Sequence, residues 1–231
     1  MSHEVKKQGE DCHNCLDGRH LVVDELICHF PYAVFSVAIG LIVLTLLDFF
    51  TGCSVSAVNL QQAWFHMFHS FHFVHMVFAA AGSIITFAKF SKNWTKGLVV
   101  SFFSASIFCI LSDVLMPYIG ATMLGIKMNL HICFISELHN IIPFLVIGLL
   151  TGWLISAHHK ETNYSMGLWS HFTHIFISSL ASAFYMVSNG FTDWINQIGL
   201  VFLLLIFAVV IPCTLSDVVI PILFAKPKTK K

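Results

Sequence analysis

From residue 25 onward the chain alternates between long apolar runs and short polar connections. Six runs, at about 25–47, 65–88, 97–120, 131–156, 167–188 and 196–224, reach the length of a membrane-crossing helix, which needs roughly 20 apolar residues to traverse hydrocarbon. The connections are short and none is Pro- or Ser-rich, so the pattern predicts one six-helix membrane domain, 25–225, between a polar tail, 1–24, and a basic tail, 226–231. The first tail holds no short apolar run followed by small residues, so no removable signal peptide is predicted.

Composition excludes a soluble domain: 57% of the residues are apolar and 10% charged, too little polar surface to keep a chain of this length in solution. The cations fix an orientation. With a cytoplasmic N-terminus, Lys6, Lys7, Arg19, Lys89, Lys92, Lys96, Lys160, Lys226, Lys228, Lys230 and Lys231 fall inside and only Lys127 outside. This asymmetry predicts a multi-pass protein of the inner cell membrane with both termini cytoplasmic. A formal net charge of zero gives no reason to expect nucleic acid as a partner.

Within the apolar background lies a repeat. "CILSDVLMP" (Cys109 to Pro117) and "CTLSDVVIP" (Cys213 to Pro221) share six residues at one spacing; "ELICHFPY" (Glu25 to Tyr32) matches "ELHNIIPF" (Glu137 to Phe144), and "HFVH" (His72 to His75) matches "HFTH" (His171 to His174). Three motifs recurring in one order make the chain two copies of a three-span unit, about 25–121 and 131–225. Because three is odd, the second copy enters the membrane in the opposite sense, the inverted-topology arrangement of many secondary transporters.

The repeated residues carry chemistry. Carboxylates in a bilayer cost several kcal/mol unless they face a cavity or a partner, and the imidazoles of HxxH, about 60° apart around a helix axis, can approach one ion. Two clusters are therefore expected, one per leaflet: His72, His75, Asp113 and Glu137 toward the outside, and Glu25, His171, His174 and Asp217 toward the cytoplasm. Each is an N₂O₂ set with two negative charges, suited to a divalent ion of the Zn, Mn, Fe or Co class. Cys109 and Cys213, one turn before each Asp, are candidate softer ligands; His29 and His139 neighbour the two Glu residues; His66 and His69 fall nearer the surface as an outer vestibule. The prolines four residues after each Asp and six after each Glu are expected to free backbone carbonyls and bend the helices around the sites. In the tail, Cys12, His13, Cys15 and His20 form a candidate capture site for a soft metal.

A Cys- and His-rich tail combined with Ser-Asp-x-x-x-Pro spans ("SDVLMP", "SDVVIP") resembles the bacterial manganese and heavy-metal exporter families, which have more than six spans. The likeness covers short motifs and implies metal transport without a direction. No phosphate-binding loop and no nucleophile elbow is present, so neither ATP hydrolysis nor another enzymatic activity is expected. The expectation is a transporter whose partners are the bilayer, a metal ion and protons, with Asp113 and Asp217 as proton carriers; a homodimer is compatible with it. The rivals are a six-helix cytochrome with two b-type haems, pairing His72 or His75 with His139 and His171 or His174 with His29, and a membrane di-metal enzyme.

Overall fold

The apolar runs become six long helical rods in a computed structural model that describes residues 21–52, 57–158 and 164–225. The tail candidates Cys12, His13, Cys15 and His20, and the basic end 226–231, lie outside the described residues. In chain order the elements are α1 (Leu21–Gly52), α2 (Ala57–Phe90), α3 (Trp94–Ile110) continuing through a π-helical turn (Leu111–Leu115) into α4 (Met116–Met123), a one-turn α5 (Cys133–Ser136), α6 (Leu138–His158), α7 (Tyr164–Ser188), and α8 (Ile198–Thr214) continuing through a second π-helical turn (Leu215–Val219) into α9 (Ile220–Phe224). There is no strand among the described residues.

Among the described residues five stretches are long and apolar enough to cross a membrane: Glu25–Thr51, Asn59–Phe90, Trp94–Met123, Leu138–His158 and Ile195–Phe224. The remaining rod, α7, is not among them, and its surroundings explain why. From 174 to 188 its residues are buried except 176 and 177, and the buried set includes Ser178, Ser179, Ser182 and Ser188. Along this stretch the helix is largely enclosed by others, so small polar residues that hydrogen-bond its neighbours are tolerated there. The outer rods show the opposite pattern. Phe35, Ile39 and Ile42 on α1, Phe103 and Ile107 on α3, Ile147 and Leu150 on α6, and Leu203 and Phe207 on α8 are exposed apolar side chains, as lipid-facing positions require.

At the centre α2 and α7 run antiparallel. Gln61 Nε2 donates to the Ser188 carbonyl at 3.2 Å, Trp64 stacks on Phe184, and His75 meets His174 farther along. Each is clasped by the first rod of the other half. Gly40 on α1 sits against Ser179 of α7, and Gly148 and Gly152 on α6 sit against the backbone of Val77 and Ala81 on α2. A Cβ at Gly148 would stand 2.5 Å from the Val77 carbonyl oxygen, so this approach admits only glycine. Gly40 and Gly152 occupy the same place in the two matched segments, fifteen residues after Glu25 and Glu137.

The fourth run departs from its predicted start at 131: the long helix begins at Leu138. Gly125, at φ 78°, ends the preceding rod. The connection is then tied to the end of α7, with Asn129 N–H donating to the Asn189 carbonyl at 3.0 Å and His131 N–H to the Tyr185 hydroxyl at 3.1 Å. Those amides are committed outside any helix, so apolarity alone misjudged the boundary.

Candidate metal centre

Each repeated Asp sits in a π-helical turn, and the following proline accounts for the turn. Pro117 and Pro221 have no N–H to return to the carbonyls four residues back, and their rings crowd those carbonyls. The ladder loosens to a five-residue spacing, with Met116 N–H reaching the Leu111 carbonyl and Ile220 N–H the Leu215 carbonyl. Hydroxyls from neighbouring helices reach into the loosened turns. Ser182 Oγ donates to the Ser112 carbonyl at 3.1 Å, and Ser104 Oγ to the Ser216 carbonyl at 3.0 Å. The carboxylates are thereby held toward the α2–α7 contact.

Both aspartates orient histidines there. Asp113 Oδ2 accepts from His72 Nδ1 at 2.8 Å and His75 Nδ1 at 2.7 Å, while Oδ1 accepts from Ser112 at 2.7 Å and Ser178 at 2.8 Å. Asp217 Oδ2 accepts from His174 Nδ1 at 2.5 Å. An ionised carboxylate only accepts, so it fixes the proton on Nδ1 and leaves Nε2 with its lone pair directed away. His75 Nε2 and His174 Nε2 face each other at 2.8 Å, with Cys213 Sγ 3.6 Å and Cys109 Sγ 3.9 Å from His75 Nε2. Two facing lone pairs repel unless a proton or a cation lies between them. All of these side chains are buried, and no Lys or Arg accompanies them among the buried polar residues described.

His75, His174 and Cys213 form one group that can hold a metal ion, and His72, His75 and Asp113 another; a third comprises His69, His131 and Cys133. In the first, each imidazole carries a carboxylate on its far nitrogen, the arrangement that orients histidine ligands at metal sites and raises their basicity. The two expected clusters are therefore not separate. The second His of each HxxH motif meets its counterpart, because α2, which runs from Ala57 to Phe90, places His75 near its middle rather than toward one end.

The first His of each motif has a different fate. His72 keeps to Asp113, and its Nε2 is buried without a hydrogen-bond partner. His171 Nδ1 lies 3.4 Å from His29 Nε2, and His29 Nδ1 donates to the Glu25 carbonyl at 2.7 Å, so these residues gather one turn along α7 from His174. Glu25 Oε2 is 3.7 Å from His29 Nδ1. Neither Glu joins the Asp–His core: Glu137 accepts from Asn140 at 2.6 Å and acts electrostatically on His131 and Cys133. His66 and His139 are exposed. Cys28 is disulfide-bonded.

His69, one turn before His72, has its Nδ1 proton on the Phe65 carbonyl at 2.9 Å, and its Nε2 is 3.4 Å from His131 Nε2 and 3.5 Å from Cys133 Sγ. Burial pushes the Cys133 thiol up to about 12 and holds the His131 imidazole below its ordinary range, so both are neutral at pH 7. Sequence reasoning missed His131, Cys133 and Ser178. "HIC", with two donors two residues apart outside the helix, was the readable signal for the first pair; Ser178 gave none. No protein-family model, curated protein sequence or solved structure matches the chain.

Proposed function

We propose that this protein carries a divalent transition-metal ion across a membrane, and that the ion is held midway by His75 Nε2, His174 Nε2 and Cys213 Sγ, with Cys109 beside them. The carrying observation is the convergence of His75 Nε2, His174 Nε2 and Cys213 Sγ within 4.8 Å of one another, each imidazole backed by a buried aspartate. Asp113 and Asp217 contribute two negative charges and the Cys213 thiolate a third, so a divalent ion offsets most of the charge buried there without any protein cation. The antiparallel pairing of α2 with α7, and the matched Gly40 and Gly152 contacts, support six spans arranged as two inverted three-helix repeats, with the site where the repeats meet. Rocking one repeat against the other would then expose one buried site to each side in turn.

This geometry shifts the proton role. The aspartates orient, and the exchangeable protons belong to Nε2 and Sγ, which must be bare to bind metal. Metal loading therefore expels protons, and binding weakens as pH falls. The test uses proteoliposomes holding a metal-sensitive dye and a pH dye. Wild type moves metal one way and protons the other; Cys213→Ser and His75→Ala abolish both. Binding without flux would make the chain a sensor or a resident metalloprotein, and a Soret band on the purified protein would reassign its histidines to haem.

A further inference from the structure

We propose that His69, His131 and Cys133 form a second, separate metal site at one mouth of the helical core, taking a borderline or soft divalent ion such as Zn²⁺ or Co²⁺ with an open fourth position. The site does not depend on the transport reading: it requires only that the three donors converge on a common point.

Their spacing is that of a metal's coordination edges. For a tetrahedral ion with bonds of about 2.05 Å to nitrogen and about 2.3 Å to sulfur, ligand atoms stand about 3.3–3.4 Å apart for an N–N edge and about 3.5–3.6 Å for an N–S edge. The two edges that meet at His69 Nε2 are 3.4 Å to His131 and 3.5 Å to Cys133. The three ligand atoms all lie within 4.8 Å of one another, close enough to share one ion. His69 is also pre-set for the task, since the Phe65 carbonyl takes its Nδ1 proton and leaves Nε2 as an acceptor.

The other two donors are held from outside the site. Tyr185 fixes the His131 backbone, and Asn189 the backbone two residues earlier. Cys133 is wholly buried at the first turn of α5. Glu137 adds negative charge nearby, acting on both His131 and Cys133. Three protein ligands leave the fourth position of a tetrahedral ion to water or another incoming group. One turn along α2 lies His72, whose buried Nε2 has no partner, and one turn beyond that lies His75. Nitrogen donors thus recur about every 4.5 Å of helix rise from the mouth to the centre.

The experiment titrates Co²⁺ and Zn²⁺ into the full-length protein in detergent, reading stoichiometry by elemental analysis and the thiolate-to-Co²⁺ charge-transfer band by absorption. Cys133→Ser and His131→Gln are each expected to remove one bound equivalent, or to weaken it at least tenfold. Cys133→Ser also removes its share of the band, and the equivalent lost on His75→Ala stays in place. Stoichiometry and affinity unchanged in both outer variants would overturn the proposal. Should Cys133→Ser fail to fold, His131→Gln decides alone, because its ring is only partly buried. Loss of the His75-dependent equivalent alone would leave the outer site standing while removing the central one.

Discussion

Asp113 and Asp217 occupy the same place in the same nonapeptide, yet one is saturated and the other is not. Asp113 accepts from two imidazoles and two hydroxyls. Asp217 accepts from His174, while its Oδ1 is buried with no hydrogen-bond partner, as is the hydroxyl of Ser216, the counterpart of Ser112. The cause is visible in the flanking residues. Ser178, which serves Asp113, corresponds through the HxxH motifs to Ala79, and Ala181 corresponds to Gly82, against which Asp217 lies. The two halves share one constellation, but in the first half it is built as a fixed strut and in the second it keeps unused capacity. Under the proposed alternating mechanism, the second half would be the one free to exchange its partners.

The sharpest way to break the comparison is to delete each carboxylate. Asp113→Ala strands two imidazoles and two hydroxyls in the core, and breaking a buried pair of this kind costs about 3–5 kcal/mol. Asp217→Ala strands one imidazole and should destabilise less, while still weakening metal binding about 10–100-fold through the loss of the group that orients His174. Thermal melts in detergent, with and without Zn²⁺, separate the two effects; equal melting losses would mean that the hydrogen-bond difference carries no energy.

A smaller change is expected from Gly82→Ala. The new Cβ would stand 2.7 Å from Asp217 Oδ2, so the carboxylate must shift off His174. Zn²⁺ affinity and the metal-free melting temperature should both fall, each by less than in Asp217→Ala. The mildest test sharpens the comparison by removing it. Ala79→Ser gives the second half the hydroxyl that Ser178 gives the first, and satisfying Asp217 Oδ1 should stabilise the protein by about 0.5–1.5 kcal/mol. If the halves must differ to move, that variant melts higher and transports more slowly; faster transport would refute the link.

Much of this was legible in the sequence. The rods followed from apolar length, and the pairs His72–His75, His171–His174 and Asp113–Asp217 stood out because they recur at fixed spacing. The convergence of His75 and His174 did not, since apolar runs give approximate ends and depth along a helix is counted from those ends. Nor could the pattern reveal that Glu25 and Glu137 stay with peripheral partners. A Glu followed by Pro six residues on reads alike whether its side chain turns inward or, as with Glu137, toward Asn140. The serines of α7 were the least legible of all, because a small polar residue within an apolar run carries no mark of the neighbour it will bond.

The paired π-helical turns carry a mechanical implication. A π-helical turn opens the carbonyl ladder by one position, and here it falls on the same Leu-Ser-Asp-Val segment twice, Leu111–Leu115 and Leu215–Val219. Each opened turn takes a hydroxyl from a neighbouring helix, Ser182 at the Ser112 carbonyl and Ser104 at the Ser216 carbonyl. The distortion that a proline imposes is thus also a rivet between two helices, set one residue before each aspartate.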